Sequence, residues 1–131
     1  MAALTDKQAR LFLEPNFGHV ATLRPDGSPN VSVVWVDWDG ENVVFNTAWP
    51  RAKPRRLARD ARLSIEVCDR ADPYRYIAVD GRGQLAEEGA VEHIERLSQK
   101  YLGRPFTHRT GDTRVIVRVR PERVYAYGFA S

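Results

Sequence analysis

The stretch from Gly18 to Thr47, GHVATLRPDGSPNVSVVWVDWDGENVVFNT, decides the fold. It contains three apolar runs separated by two Asp-Gly pairs. An Asp-Gly pair between apolar runs is the strongest short-range signal of a β-hairpin. We therefore predict an antiparallel meander of three strands, over His19–Arg24, Asn30–Asp37 and Asn42–Thr47.

Further strands and helices are predicted on either side of this meander. Thr5 is placed to cap the first helix, and Gln8 completes a capping box. Gly81 and Gly83 predict a sharp bend in a long strand, as barrel corners require. The helices are predicted over 6–13, 51–59 and 90–102, and the other strands over 62–67, 74–87, 113–121 and 123–129. We expect a mainly β fold, a small and strongly bent antiparallel barrel of about seven strands with three helices at its edges.

Length and composition indicate a single domain. A chain of 131 residues buries a core but is too short for two domains, so residues 1–131 are expected to form one domain. Apolar residues make up 43% and charged residues 28%, as in soluble globular proteins, and no apolar run is long enough to span a membrane. The charged N-terminus lacks a signal-peptide core, so we expect a cytoplasmic protein with no membrane partner. The single cysteine, Cys68, excludes an intramolecular disulfide.

A dense cluster of basic residues follows the meander, in the segment TAWPRAKPRRLARDARLSIEV. It has three interpretations: a solvated helix face, a nucleic-acid patch, or a binding site for a phosphorylated small molecule. Helix N-termini bind anions, and acids rather than bases are the usual residues at a helix start. For Arg51 and Lys53 we therefore favour anion binding, and for Arg59 and Arg62 the solvated face. The nucleic-acid interpretation is weakest, because no aromatic residues are interleaved with this short run.

The second predicted strand carries small polar residues among valines. Side chains alternate between faces, so Asn30 and Ser32 share one face with Val34. Such a strand allows a flat ring to lie close to the backbone, whose N–H and C=O groups then read the ring's heteroatoms. The alternative is a core strand with a polar end beside a turn, and the strand taken alone favours that alternative.

The three histidines carry no recognisable site. His19, His93 and His108 lack the spacing of zinc ligands, so no metal site is predicted. His93 lies beside Glu92 on the third helix and is expected to face solvent. No side chain is predicted to be catalytic.

At this point the residues carry a resemblance to a known family. The segments GHVATLRPDGSPNVSVVWVDWDGENVVFNTAWPRAKPRRLARDARLSI, YRYIAVDGRGQLAE and RVRPERVYAYG resemble the split β-barrel, flavin-binding superfamily of pyridoxamine 5′-phosphate oxidase. The resemblance covers nearly the whole chain and is greatest to the branch that uses the deazaflavin coenzyme F420. Its most specific part is PRAK after the third strand, followed by a Leu, Asp, Arg and Ser pattern.

The resemblance implies a cofactor site on the second and third strands. The family's ring-contacting strand corresponds here to Pro29, Asn30, Val31, Ser32, Val33 and Val34. Thr47 and Ala48 correspond to the place where the ring and its ribityl chain meet the third strand. This implied site agrees with the flat-ring interpretation of the second strand.

In the family, the bases after the third strand hold the cofactor phosphate. That role falls to Arg51 and Lys53, and Arg55 and Arg56 are weaker candidates for contacting an acidic tail. FMN has one terminal phosphate, whereas F420 carries a phosphodiester and an oligoglutamate tail. The number of bases beyond the need of one phosphate, with Arg59 included, favours F420.

Members of the family are homodimers with cofactor sites across the interface. The resemblance implies that the second subunit contributes the region of Tyr74 and Tyr76. It also implies an oxidoreductase that transfers a hydride between the reduced deazaflavin and a small conjugated molecule. Two alternatives stay open: an FMN-binding oxidase or flavin reductase of the same fold, and a carrier that stores F420 without turnover. The chain lacks the long C-terminal extension of the true pyridoxamine phosphate oxidases, which argues against oxidation of vitamin B6.

Overall fold

The computed structural model describes residues 3–129 as an antiparallel barrel with three helices. Its elements, in chain order, are α1 (Asp6–Leu13), β1 (Phe17–Leu23), β2 (Pro29–Trp38), β3 (Val43–Trp49), α2 (Ala52–Arg59), β4 (Arg62–Cys68), β5 (Tyr76–Ala86), α3 (Ala90–Leu102), β6 (Thr113–Val119) and β7 (Arg123–Tyr127). The split-barrel fold predicted from the sequence, with seven strands and three helices, is confirmed.

Six of these strands close the barrel in the order β4, β1, β2, β3, β6, β5, because β5 also pairs with β4. The meander predicted from the two Asp-Gly pairs is confirmed, since β2 pairs antiparallel with both β1 and β3. The seventh strand lies outside the closed ring. β6 pairs with residues 83–86 of β5, whereas β7 pairs with residues 76–80 of the same strand.

The two glycines of β5 lie where that strand changes its partner. A Cβ at Gly81 would lie 2.6 Å from the backbone oxygen of Arg120, and one at Gly83 would lie 3.0 Å from a methyl of Val117. These glycines therefore let the backbone of β5 approach β6 and the segment after it. The bend predicted from their presence is the corner at which β5 passes from β7 to β6.

Alternate residues of the strands fill the barrel interior. Val20, Phe45, Ile65 and Val117 are each fully buried in one core, and Phe12 of α1 closes an end of it. The capping box predicted for α1 is present, with Thr5 and Gln8 bonding each other's backbone N–H groups. Within residues 3–129, no helix is both long enough and apolar enough to cross a membrane.

The barrel is open between two neighbouring strands. β2 pairs with β1 along seven residues, from Pro29 to Trp35. It pairs with β3 over only three, Val36–Trp38 against Val43–Phe45. Beyond Phe45, β3 continues along β6 and diverges from β2. One backbone edge of β2, from about residue 30 to 35, therefore faces an opening rather than a strand, and α2 begins just beyond that opening.

The corner glycine generates a prediction about stability. Gly81→Ala places a methyl group against the backbone oxygen of Arg120, so we expect the free energy of unfolding to fall by about 1–3 kcal/mol, the usual cost of overpacking. The matched control is Gln84→Ala, an exposed change on the same strand. Denaturant unfolding checks both variants. Equal stability of Gly81→Ala and the wild type would show that β5 is not held against the backbone at this corner.

Candidate functional site

The opening between β2 and β3 leads into the principal pocket among the described residues. Its volume is about 430 Å³, within the range of small-molecule sites. Residues of β2, β3, α2 and α3 line it, together with Phe17, Arg51, Phe106 and Arg114. Each of these elements meets the pocket because β2 and β3 diverge there.

The β2 wall has the alternation expected from its sequence. Asn30, Ser32 and Val34 lie on the pocket side, with Val34 buried and the other two half-buried. Small side chains here leave the free backbone edge of β2 accessible, and Thr47 of β3 faces it across the opening. A planar heterocycle lying against this edge would find unpaired backbone donors and acceptors.

The start of α2 forms a basic wall. Arg51 is the N-cap residue of α2 and makes no capping hydrogen bond, and no acid lies in the first turn. The first N–H groups of the helix are thus left for another acceptor. Arg51, Lys53 and Arg56 all line the pocket. Arg56 Nη1 donates to Asn30 Oδ1 (3.0 Å), which orients that guanidinium along β2.

The charges of this wall are only partly compensated. Arg51 Nη2 donates to Asp112 Oδ2 at 2.7 Å. No carboxylate lies among the described residues that line the pocket. Burial lowers the pKa of Lys53, and the nearby charges of Arg51 and Arg56 lower it further. A bound phosphate would relieve this repulsion, because an opposite charge favours the protonated amine.

Arg114 lies beside the basic wall, since its Nη1 is 3.8 Å from Asp112 Oδ2, the oxygen that Arg51 Nη2 contacts at 2.7 Å. The Arg114 side chain is only 6% exposed, and its Nε donates to Asn46 Oδ1 (2.9 Å). Its guanidinium carbon lies 5.0 Å from the centre of the Phe106 ring. Burial lowers the pKa of Arg114, the charge of Arg51 lowers it further, and Asp112 opposes the shift. Arg114 Nη1 is buried without a hydrogen-bond partner.

His93 lies beside Asn46, and the prediction that it faces solvent is wrong. It is 3% exposed, and Asn46 Nδ2 lies 3.1 Å from its Nδ1. The buried stripe of α3 runs through Ala90, His93, Ile94 and Leu97, while Val91 is half exposed. The helical period therefore holds, and the stripe of α3 that packs on the sheet includes His93.

Burial lowers the pKa of His93 to about 4. The nearby charge of Asp37 raises the pKa, and the charges of Arg96, Arg118 and Lys100 lower it. At neutral pH the ring is therefore uncharged and belongs to the core of the protein. Within residues 3–129, no cluster of three or more His, Cys, Asp or Glu side chains is arranged to hold a metal ion.

Most of the residues predicted to contact a cofactor line this pocket. They are Asn30, Ser32, Val33, Val34, Thr47, Arg51, Lys53 and Arg56. Val31 points to the other side of β2 and is 63% exposed, while Ala48 is fully buried beside the pocket. Pro29 lies at the first position of β2 and Arg55 on the outer side of α2, where its Nε donates to Arg51 O.

The two predicted tyrosines lie away from the pocket of their own chain. Tyr74 is in the loop before β5 and is 76% exposed. Tyr76 packs its ring against Tyr125 and Tyr127 of β7, with ring centres 5.9 and 5.8 Å away. Their contribution to a partner's site remains a prediction.

Sequence reasoning missed eight residues that line the pocket, among them Phe17, Ala52, Ile94 and Leu97. The other four are Trp35, Asn46, Phe106 and Arg114. Asn46 and Arg114 had a visible signal, because each is a polar residue inside a run of buried apolar ones. Phe106 had none, since it lies in an irregular segment after α3 whose path the sequence does not reveal.

Comparison with known proteins gives a consistent result. The sequence profile described as pyridoxamine 5′-phosphate oxidase matches residues 4–128. A pyridoxine/pyridoxamine 5′-phosphate oxidase from Gloeothece citriformis is 31% identical over 103 residues, 76% of this chain and 44% of the relative. One of the same description from Brucella anthropi is 32% identical over 111 residues, 82% of this chain and 50% of the relative. The chain thus spans about half the length of these curated relatives.

Solved structures of similar shape include an F420 reductase, 32% identical, with a TM-score of 0.82 over 93% of this chain and 98% of the other. A conserved hypothetical protein from Mycobacterium tuberculosis is 24% identical, with a TM-score of 0.74 over 95% of this chain and 85% of the other. The second likeness, at this low identity, concerns the fold alone.

Burial of His93 generates a prediction about pH dependence. Its folded-state pKa of about 4 lies below the ordinary histidine value of 6.5, so unfolding takes up a proton between these two pH values. Stability from this group is fully present above pH 6.5 and is lost as the pH falls toward 4. We expect a loss of up to about 1.4 kcal/mol per pH unit in that window. His93→Gln, which still offers an acceptor to Asn46, should flatten the slope.

Urea unfolding of both proteins at several pH values measures this difference. Titration of the carboxylates is common to the two curves and cancels in their difference. Parallel curves for the wild type and His93→Gln would mean that His93 titrates as it does in the unfolded chain.

Proposed function

The chain belongs to the pyridoxamine 5′-phosphate oxidase family, and we propose that within this family it is an F420-dependent oxidoreductase. The observation that carries this proposal is the concentration of cations at one end of the pocket. Arg51, Lys53 and Arg56 line it, and Arg55 extends the basic surface outward along α2. This is more positive charge than a single phosphate requires. A phosphodiester followed by an acidic tail matches it better.

The residues present fit such a cofactor. The free edge of β2 from Asn30 to Val34 would hold the ring, and Thr47 would contact it from β3. The start of α2 would hold the phosphate through Arg51, Lys53 and the unpaired N–H groups of its first turn. These roles agree with the volume of the pocket and with its lack of a lining carboxylate among the described residues.

When bound, the reduced deazaflavin supplies a hydride from its ring carbon to a conjugated acceptor, and a proton from solvent completes the reduction. The chain's own residues then act by position and environment. Val34, Ile94 and Leu97 supply a buried apolar part of the pocket lining, against which the ring would lie. Arg51 and Lys53 fix the phosphate end, so the orientation of the ring follows from that anchor. No side chain is assigned a nucleophilic or acid–base role.

Two alternatives differ from this proposal in a measurable way. An FMN-binding oxidase or flavin reductase would use Arg51 and Lys53 for the single phosphate and would leave Arg55 and Arg56 without a contact to the cofactor. An F420 carrier would bind the same cofactor without turnover. The cytoplasmic location predicted from the sequence is retained as part of the proposal.

A cofactor titration tests the main proposal. We expect F420 to bind more tightly than FMN, measured by fluorescence on the purified protein. Lys53→Ala should weaken F420 binding by about 1–3 kcal/mol, the scale of a charge-assisted hydrogen bond. The control is Arg59→Ala, which removes an equal charge from α2 outside the pocket lining, where Nη2 donates to Leu23 O.

The contrary results are also clear. Tighter binding of FMN than of F420 would replace the proposed cofactor. Equal losses for Lys53→Ala and Arg59→Ala would reduce the role of Lys53 to a general effect of net charge. Tight F420 binding without reduction of any conjugated acceptor tested would favour the carrier.

We also propose that the protein is a homodimer that uses the outer face of the sheet. This face is a row of residues across five strands, Val33, His19, Glu66, Ala78 and Tyr125, together with the rows on either side of it. Val33 is 60% exposed, and the neighbouring rows carry exposed Val31 and Tyr127. Exposed valines and tyrosines on one surface are typical of an interface.

The outer face is continuous with the pocket. Val33 belongs to both, and Phe17 and Trp35, in the row beside it, also line the pocket. A second copy seated on this face would therefore lie beside the pocket mouth. The expected contribution of Tyr74 and Tyr76 from a partner is compatible with this location, because Tyr76 stands on the outer face beside Tyr127.

The dimer proposal predicts the effect of a charge on the outer face. Light scattering at micromolar concentration should give twice the 14.9 kDa mass of one chain. Val31→Glu would bury an unpaired carboxylate in the interface, so we expect it to yield monomers. Gln84→Glu adds the same charge at an exposed position of β5 and should stay dimeric. A monomeric wild type, or a dimeric Val31→Glu, would contradict this use of the face.

A further inference from the structure

Arg114 belongs to a different element from the basic residues that the proposed cofactor site uses, although it lies beside Arg51. It comes from β6, in register with Ala48 of β3, whereas Arg51, Lys53 and Arg56 belong to α2 and its N-cap. It lines the same pocket from the side of α3 and is almost completely buried. A charged group in this position loses its hydration and needs an opposing group to compensate.

The compensation present in the structure is incomplete. Asn46 Oδ1 accepts a hydrogen bond from Arg114 Nε, but Nη1 is buried and has no partner. The nearest carboxylate oxygen, on Asp112, is 3.8 Å from Nη1 and is already bonded by Arg51 at 2.7 Å. A buried donor without an acceptor is rare in folded proteins and needs an explanation.

The surroundings of Arg114 indicate what an additional acceptor would look like. Ile94 and Leu97 of α3 are apolar and buried. Phe106 lies against the guanidinium, and its ring meets Trp35 edge to face at 6.4 Å. Flat aromatic walls suit a planar, conjugated body, while an unpaired guanidinium N–H suits a carboxylate.

We propose that Arg114, supported by Asn46 and Phe106, forms a subsite that binds the carboxylate of a flat, conjugated organic acid. This inference rests on the proposed function only where it identifies the acid as the hydride acceptor. Asn46 is a positioning residue, because it holds Nε of Arg114 and is itself fixed by Ala90 O of α3.

Two test ligands of the same shape isolate the charge. Trans-cinnamate and trans-cinnamamide differ in their carboxylate and amide ends, and neither reacts with the oxidised cofactor. Calorimetry with the wild-type protein, both cofactor-free and saturated with oxidised F420, should show that cinnamate binds about tenfold or more tightly than cinnamamide. A factor of this size is that of a hydrogen bond between charged groups.

Substitutions in β6 test whether Arg114 is the source of the preference for cinnamate over cinnamamide. Arg114→Gln should abolish it while leaving the affinity for cinnamamide nearly unchanged, and Arg114→Lys should retain part of it. The matched control is Arg118→Gln, which removes the same charge four residues further along β6, outside the pocket lining. This control should keep the full preference. F420 affinity should change less than threefold in Arg114→Gln, whereas Lys53→Ala lowers it.

Several outcomes would overturn the proposal. Equal binding of the two ligands by the wild-type protein would overturn it. This result needs no variant, so it counts even if Arg114→Gln does not fold. An undiminished preference for cinnamate in Arg114→Gln, or the loss of one-half or more of it in Arg118→Gln, would place the carboxylate elsewhere. Loss of F420 affinity in Arg114→Gln as large as in Lys53→Ala would assign the guanidinium to the cofactor. Failure of the wild type to bind F420 would remove the proposed cofactor, yet the cofactor-free comparison of the two ligands would still decide the subsite.

Discussion

The short pairing between β2 and β3 is the constraint on which the rest of the structure depends. Only Val36–Trp38 of β2 pair with β3, whereas β3 pairs with β6 along its whole length, from Val43 to Trp49. If β2 and β3 paired along their full length, their backbone hydrogen bonds would close this opening. The divergence of the two strands creates the pocket, frees the β2 edge and leaves α2 and α3 to form the remaining walls.

The pocket places two kinds of positive charge under different physical conditions. Among the bases at the start of α2, Arg51 is exposed and Lys53 is half-buried, so an anion that enters from solvent can compensate them. Arg114 lies in the interior between an amide and an aromatic ring. The bases at the start of α2 suit the charged end of a ligand that binds reversibly. Arg114 suits a fixed polar contact deep in an apolar site.

Local signals in the sequence predicted the parts of the fold that local physics determines. The two Asp-Gly pairs specified the hairpins and Thr5 specified the start of α1. Arg51 and Lys53 do lie at a helix start, and their anion-binding role stays a prediction. The buried face of α3 was less predictable, because Val91 and His93 both fit a helical period. The packing of α3 on the sheet, where His93 meets Asn46, buries His93 and leaves Val91 half exposed.

The role of Arg114 and Phe106 was beyond reach of the sequence for a related reason. An arginine in an apolar strand is visible, but its partner Asn46 is 68 residues away in the chain. Its burial depends on the path of the irregular segment after α3. The pairing of β6 with β3, which brings the two residues together, is a property of the closed barrel rather than of either strand.

The contacts of Asn46 constrain the order in which this protein accumulates amino-acid substitutions during evolution. The side-chain amide of Asn46, on β3, contacts Ala90 and His93 of α3 and Arg114 of β6. Three elements are therefore connected through the contacts of one side chain. Mutations at these positions are not independent, and their effects on stability should not add. A substitution of Arg114 would be tolerated only when suitable residues already occupy positions 46 and 93. Altering the ligand of such a site is therefore an evolutionary path of ordered steps, in which the helix core and the pocket change together.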